Sequence, residues 1–109
     1  MIDMILQGLK NMFKNTSDTY KHLVENGAII IDVRTPQEFA SGNIPGSMNI
    51  PLQSLDNRCA QFVDKQANYI VCCASGMRSS SAKSILQSKG FTHVHNAGSW
   101  VSLMKQLAK

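Results

Sequence analysis

Short apolar runs alternate along this chain with segments whose apolar residues recur every three or four positions. The runs AIIIDV (residues 28–33) and YIVCC (residues 69–73) are rich in β-branched or other apolar residues and show no regular polar alternation. Runs of this length and pattern are typical of strands covered on both faces of a parallel sheet. A third strand is predicted at THVHNAG, residues 92–98, and a short extended piece at residues 48–50.

Helical spacing of apolar residues occupies most of the remaining chain. The predicted helices cover residues 16–26, 54–64, 79–90 and 99–107. A shorter helix is predicted after Thr35, which can act as its cap, and it should stop near Gly42. Pro36 suits the first position of that helix, and Glu38 completes a capping box. Because strands and helices alternate throughout, we predict one doubly wound α/β unit in three layers, with a parallel sheet between helices.

The N-terminal segment has its own pattern. Residues 1–15 place apolar side chains at three- and four-residue spacings, which predicts a short amphipathic extension ahead of a domain over residues 16–109. We expect the extension to cover its own domain, and a role at a partner protein or a membrane surface stays open. No run approaches the roughly 20 apolar residues of a membrane span, and the first residues do not have the pattern of a secretion signal, so no transmembrane segment is expected.

Composition narrows the classes of function. A chain of 109 residues with 43% hydrophobic content can bury one core without disulfides or metals. The net charge is +4, but the basic residues are scattered and are not interleaved with aromatics, which argues against a nucleic-acid platform. Three cysteines, two of them adjacent, make a poor disulfide framework. We therefore predict reduced thiols and a cytoplasmic location.

The adjacent cysteines carry the candidate chemistry. Cys73 lies where the second strand ends, and ligands of doubly wound sheets gather at the carboxyl ends of strands. The loop ASGMR follows it and leads into a helix, so loop amides, the helix start and Arg78 should all stabilise a thiolate. Cys73 is therefore a candidate nucleophile of low pKa. Cys72 should point to the opposite face of the strand and pack in the core.

Other candidate residues have simpler interpretations. Gly76 meets a backbone requirement, either a positive φ angle or room for a ligand. Ser75 is either a donor to a bound anion or a turn former, and Met77 should be exposed at the mouth of the site. Leu55, Cys59, Phe62 and Val63 share one apolar face of the helix predicted at residues 54–64, where Cys59 should be buried and inert. The three histidines do not have zinc-ligand spacing with the cysteines, so no metal site is predicted.

Three segments together resemble a known family. DVRTPQEFASGNIPGSMNIP, YIVCCASGMRS and HVHNAGSW occur in the order and approximate spacing of the rhodanese-like sulfurtransferases, over nearly the whole chain. The resemblance implies a five-stranded parallel sheet flanked by helices. It also implies that Cys73 holds a sulfane sulfur as a persulfide and that Ser79 begins the following helix. The substrate-binding residues implied in this way are Ala74, Ser75, Gly76, Met77, Arg78 and Ser79.

The resemblance also bears on activity. It implies transfer of sulfur from a small anionic donor such as thiosulfate to cyanide or a thiol acceptor, and a sulfur-acceptor protein is a possible partner. No cofactor is expected, since loop amides supply the charge stabilisation. The six residues from Cys73 to Arg78 match the loop of sulfurtransferases, whereas related phosphatases have one residue more. Asp32 and Arg34 become scaffold residues. The alternative is a sulfur-relay or regulatory binding module with the same fold.

Overall fold

The computed structural model describes residues 16–109. The amphipathic extension predicted for residues 1–15, and with it the proposed division of the chain at residue 16, lies outside the described residues. Within residues 16–109, no helix is long and apolar enough to cross a membrane.

The described chain forms a parallel sheet between two layers of helices. The sheet has four strands in the order β2-β1-β3-β4. The strands are β1 (Ile29–Asp32), β2 (Met48–Asn49), β3 (Asn68–Cys73) and β4 (His93–Ser99). The α-helices are α1 (Thr16–Glu25), α2 (Pro36–Ser41), α3 (Leu52–Arg58), α4 (Met77–Ser88) and α5 (Trp100–Leu107), and a 3-10 turn covers Cys59–Gln61. The predicted α/β class is confirmed, with four of the five implied strands present in residues 16–109.

Side chains of the central strand β3 alternate between two cores. Val71 and Cys73 belong to the core that β3 shares with α3 and α4. Ile70 and Cys72 belong to the opposite core, which includes Leu103 of α5. The last five residues of β3 are all buried, as expected for a strand covered on both faces. The strand period therefore separates the two adjacent cysteines into different layers.

A buried ion pair ties the end of β1 to the loops around it. The Arg34 guanidinium binds the Asp32 carboxylate through Nε and Nη2, with a shortest distance of 2.7 Å. It also donates to the carbonyl oxygens of Glu38 and Gly42 and lies 4.4 Å from the centre of the Trp100 ring. One guanidinium thus connects the end of β1, helix α2 and Gly42 to Trp100 of α5, which is distant in sequence, and this agrees with a scaffold role for Asp32 and Arg34.

Two predicted helices have different bounds in the structure. Helix α3 ends at Arg58, and after the 3-10 turn the chain is extended at Phe62, so Val63 is 91% exposed although its spacing predicts an inward side chain. The chain must turn here because the Tyr69 hydroxyl donates to the Asp64 carbonyl at 2.6 Å and Phe62 packs on the Tyr69 ring. Helix α4 begins at Met77, two residues before the predicted start.

Candidate active site

The Cys73 sulfur lies beneath the loop that connects β3 to α4. The backbone N–H of Gly76 donates to the sulfur at 2.9 Å, and the N–H of Ser79 donates to it at 3.3 Å. Cys73 is 0% exposed, whereas Ala74, Ser75 and Met77 above it are exposed. The loop therefore both encloses the sulfur and presents polar N–H groups to it.

Gly76 makes this loop possible. It is the N-cap of α4 and has a φ angle of 106°, in the region that residues with a side chain rarely adopt. This conformation turns the Gly76 N–H toward the sulfur and starts the helix at Met77. A Cβ at Gly76 would lie 3.6 Å from the Gly98 Cα, an ordinary contact distance, so the glycine is required by its φ angle and not by lack of space.

The two adjacent thiols have opposite pKa shifts. Burial alone would raise the pKa of Cys73, but hydrogen bonds involving the Ser79 hydroxyl and the amides of Ser79, Gly76 and Ser75 outweigh it, and the pKa lies below its ordinary value. Burial raises the pKa of Cys72 to about 12, and the nearby Asp32 carboxylate adds to the increase. Cys73 is therefore the more acidic of the two adjacent thiols.

The arginine of the loop is paired with a carboxylate and is not aimed at the sulfur. Arg78 donates to Glu38 through Nη1 at 2.7 Å and through Nη2 at 3.0 Å. The hydrogen bond from Arg78, followed by that from the Thr35 amide, lowers the pKa of Glu38 to about 2. Glu38 completes the predicted capping box as well, so it has two tasks where the sequence suggests one.

A further residue of the site was not identified from the sequence. The Ser79 hydroxyl donates to the Asn96 side-chain oxygen at 2.6 Å. Asn96 is in β4, next to β3 in the sheet, on the edge where the parallel strands end. A polar residue near the carboxyl end of a predicted strand is the signal that could have indicated it.

The histidines lie apart from the cysteine loop. The ring of His93 is 2.9 Å from the Thr92 hydroxyl, and that of His95 is 3.0 Å from the Asn68 side chain. Burial, and then the nearby Lys83, lower the pKa of His95. Among residues 16–109, no three His, Cys, Asp or Glu side chains come together as a possible metal site. Cys59 is buried, and its thiol donates to the Asp56 carbonyl at 3.4 Å.

Comparison with known proteins identifies the family. A sequence model described as the Rhodanese-like domain matches residues 16–105. The chain belongs to the rhodanese-like domain family. The match covers all the elements of the sheet and the whole of the cysteine loop, so the resemblance of the three sequence segments is confirmed at the level of the family.

Relatives of known name are similar over most of the chain. Thiosulfate sulfurtransferase PspE of Escherichia coli (strain K12) is 44% identical over 69 residues, which are 62% of this chain and 66%, slightly less than two thirds, of PspE. Thiosulfate sulfurtransferase GlpE of Ectopseudomonas mendocina (strain ymp) is 38% identical over 76 residues, covering 70% of this chain and 69% of GlpE.

Solved structures of this family share the fold. A rhodanese with anions from E. coli is 39% identical, with a TM-score of 0.66, and the match covers 70% of this chain and 91% of that one. The human single-domain sulfurtransferase TSTD1 is 26% identical, with a TM-score of 0.69 and coverage of 81% of this chain and 90% of that one. This chain thus has the fold of these proteins, and within it the N–H groups of Gly76 and Ser79 donate to the Cys73 sulfur.

Proposed function

We propose that this protein is a sulfurtransferase that moves a sulfane sulfur from a small anionic donor such as thiosulfate to cyanide or a thiol acceptor, through a persulfide on Cys73. The relatives named thiosulfate sulfurtransferases support the reaction class. The observation that carries the assignment is the pair of N–H groups, from Gly76 and Ser79, directed at one buried sulfur at a strand end. This arrangement favours a reactive anion over an inert thiol.

The reaction takes place in two displacements. The Cys73 thiolate attacks the outer sulfur of thiosulfate, a bond forms between the two sulfurs, and the S–S bond of the donor breaks so that sulfite leaves with its electron pair. Cyanide or a thiolate then attacks the outer sulfur of the persulfide, and the Cys73 thiolate departs with the electron pair of that bond. The loop amides stabilise the negative sulfur in both steps and require no cofactor.

Arg78 serves the anionic donor in this proposal. It is the only charged residue between Cys73 and Ser79, and its side chain is about one-third exposed, at 34%. A donor oxyanion that enters the site can form the same bidentate contact with Arg78 that Glu38 forms when no donor is bound. The other loop residues, Ala74, Ser75 and Met77, form the exposed rim over which the donor passes.

A protein acceptor is a second candidate role. Met77 is 81% exposed directly after the N-cap Gly76, beside the buried sulfur. An exposed, flexible apolar side chain at the entrance suits contact with a partner surface, so a sulfur-relay protein is the acceptor class that this feature favours. A cytoplasmic location is part of the same proposal, since all three cysteines are free thiols.

Mass measurement tests the persulfide assignment. After thiosulfate treatment and removal of excess reagent, the intact protein should gain one sulfur atom, and the mapped peptide should place it on Cys73. The Cys72→Ala variant is the matched control and should gain the same sulfur, because its side chain lies in the opposite core. The Cys73→Ser variant should gain none. A folded Cys73→Ser protein that still gains sulfur would disprove the assignment.

A further inference from the structure

The Ser79 hydroxyl has more possible acceptors than protons. Its oxygen lies 2.6 Å from the Asn96 side-chain oxygen, 3.1 Å from the Gly76 carbonyl oxygen and 3.5 Å from the Cys73 sulfur. A serine hydroxyl carries one proton and can donate it to one of these atoms at a time. The direction of this proton decides whether Ser79 stabilises the neutral thiol or the thiolate.

Asn96 determines that direction through an independent contact. The backbone N–H of Gly98 donates to the same Asn96 side-chain atom at 3.0 Å, so this atom must be the amide oxygen, which accepts and cannot donate. In the short contact between the two side chains, the Ser79 hydroxyl must therefore be the donor and the Asn96 oxygen the acceptor. In this arrangement the Ser79 oxygen is left to accept, and the Cys73 S–H donates to it.

An irregularity in β4 places the Gly98 amide on Asn96. Val71 pairs with Asn96, but the next residue, Cys72, pairs with Gly98, so Ala97 is an extra residue in the strand. Such bulges redirect side chains and often occur beside active sites. Here the bulge lets one carboxamide oxygen accept from its own strand and from Ser79 at once. Asn96 is thus held in place by the backbone.

Ionisation of the thiol changes the best acceptor for the Ser79 proton. The thiolate is charged, and a charged acceptor forms a stronger hydrogen bond than a neutral amide oxygen. The Gly76 carbonyl is a weaker competitor, because it already accepts from the Ser80 backbone N–H at 3.1 Å. Rotation of the Ser79 hydroxyl toward the sulfur therefore costs the bond to Asn96 and adds a third donor to the two loop amides.

We propose that Asn96 is a positioning residue that holds the Ser79 hydroxyl proton away from Cys73 while the thiol is neutral and releases the hydroxyl to donate a hydrogen bond to the sulfur when the thiolate forms. The proton of Cys73 itself leaves to solvent, and no other covalent bond changes. The proposal rests on the proposed function in taking Cys73 as the reacting group. Without Asn96, the loop amides and a freely donating Ser79 together would make the thiolate less basic. The effect of Asn96 is therefore to keep the thiolate more basic. That preserves nucleophilicity toward sulfur.

The charges around the sulfur remain the same when Asn96 or Ser79 is replaced by alanine, whereas Asn96→Asp adds one carboxylate. The charged and titratable groups near it are Arg78 with its partner Glu38, the pair of Asp32 and Arg34, and Cys72. None of these contacts the side chain of Asn96 or Ser79 through a hydrogen bond in the described structure. Changes in Cys73 reactivity on removal of Asn96 therefore report on the Ser79 proton.

The test is the pH profile of iodoacetamide alkylation at Cys73, followed by mass of the mapped peptide. In Asn96→Ala the Ser79 hydroxyl is free to donate to the thiolate, so the midpoint of the profile should move to lower pH. The thiolate fraction well below the midpoint should rise about fivefold, the factor expected for one hydrogen bond. In Asn96→Asp the carboxylate holds the Ser79 proton more strongly and also repels the thiolate, so the midpoint should move to higher pH.

Ser79→Ala supplies the decisive background. Asn96→Ala should have no effect on the midpoint when Ser79 is alanine, and Asn96→Asp should have a smaller effect than it has in the native background. Ser80→Ala, one position along the same helix, is the matched control and should behave as the native protein. Equal shifts with and without Ser79, or a shift of Asn96→Ala to higher pH, would overturn the proposal.

Two further features keep the outcomes separable. If Asn96→Ala fails to fold, the comparison of Asn96→Asp with and without Ser79 gives the same test. Alkylation needs no sulfur donor, so a protein that fails to transfer sulfur still reports on Asn96. Loss of transfer with the predicted shifts would contradict only the proposed function, and transfer with unchanged midpoints would contradict only the role of Asn96.

Discussion

Two arginine–carboxylate pairs lie at the same edge of the sheet and differ in burial. Both pairs are bidentate, and both have a shortest nitrogen–oxygen distance of 2.7 Å. The side chains of Arg34 and Asp32 are 4% and 1% exposed, whereas those of Arg78 and Glu38 are 34% and 37% exposed. The similar geometry therefore occurs once in the interior and once at the rim of the candidate site.

The difference in burial separates scaffold from site. The Arg34 guanidinium of the buried pair also contacts two carbonyl oxygens and the Trp100 ring. Removing either ion would leave the other as a buried charge without its partner. The rim pair is reached by water, and in our proposal an anionic donor replaces Glu38 at Arg78. We expect changes to the first pair to appear in the free energy of unfolding, and changes to the second to appear in reaction rates with anionic donors.

The largest effect is expected for Arg34→Leu. This change leaves the Asp32 carboxylate buried without its partner and should lower the free energy of unfolding by about 3–5 kcal/mol. Urea denaturation followed by Trp100 fluorescence measures it. Arg58→Leu, in which an exposed arginine at the end of α3 is removed, is the control and should change stability little. An equally small effect of Arg34→Leu would remove the distinction between the two pairs.

Arg78→Ala should act mainly on rate. We expect kcat/KM with thiosulfate to fall about tenfold, equivalent to about 1.4 kcal/mol of transition-state stabilisation, with only a small change in the denaturation midpoint. Arg78→Lys should recover part of the loss, because the charge remains although the fork of two donors does not. The defect should shrink at high salt, which screens the native charge.

A second surface ion pair provides the control for Arg78. Lys89, at the opposite end of α4, binds Asp56 at 3.0 Å. Lys89→Ala removes the same unit of charge from the same helix and should leave kcat/KM with thiosulfate unchanged. If Lys89→Ala and Arg78→Ala reduce the rate equally, the effect belongs to net charge and not to the rim pair.

Glu38→Gln should have a smaller effect, of opposite sign. Glutamine can still complete the capping box with Thr35, but it no longer competes as an anion for Arg78. We expect kcat/KM with thiosulfate to rise about threefold at low salt, mostly through a lower KM. In an Arg78→Ala background the same change should bring a smaller gain. A fall in rate would mean that Glu38 orients Arg78 for the donor and does not compete with it.

The smallest effect is the pH dependence of the rim pair. The pKa of Glu38 is lowered in the folded protein, from 4.5 to about 2, so the pair stabilises the fold above pH 4.5 and the contribution is lost as the pH falls toward 2. The difference in thermal midpoint between the native protein and Glu38→Gln should be constant from pH 5 to pH 8 and should shrink below that range. A difference that instead grows on acidification would contradict the pairing.

Several features of the site follow from short stretches of sequence. The capping box at Thr35, the strand ending at Cys73 and the helix end at Gly90 are all predicted within a residue or two and confirmed. The positive φ of Gly76 is one of the two predicted reasons for a glycine in the loop. The roles of the loop residues in binding a donor remain predictions. Val63 is where a local pattern was wrong, because the chain leaves the helix before reaching it.

The sequence by itself determined the alternation of elements, the family and the opposite orientations of Cys72 and Cys73, because strand and helix periods are properties of the local backbone. Only the tertiary structure decided which polar groups meet. Glu38 and Arg78 are 40 residues apart, and Ser79 and Asn96 are 17 apart. Their contacts exist because parallel strands end at one edge of the sheet and a bulge redirects β4. The number of residues between two side chains does not reveal that they lie close together in space.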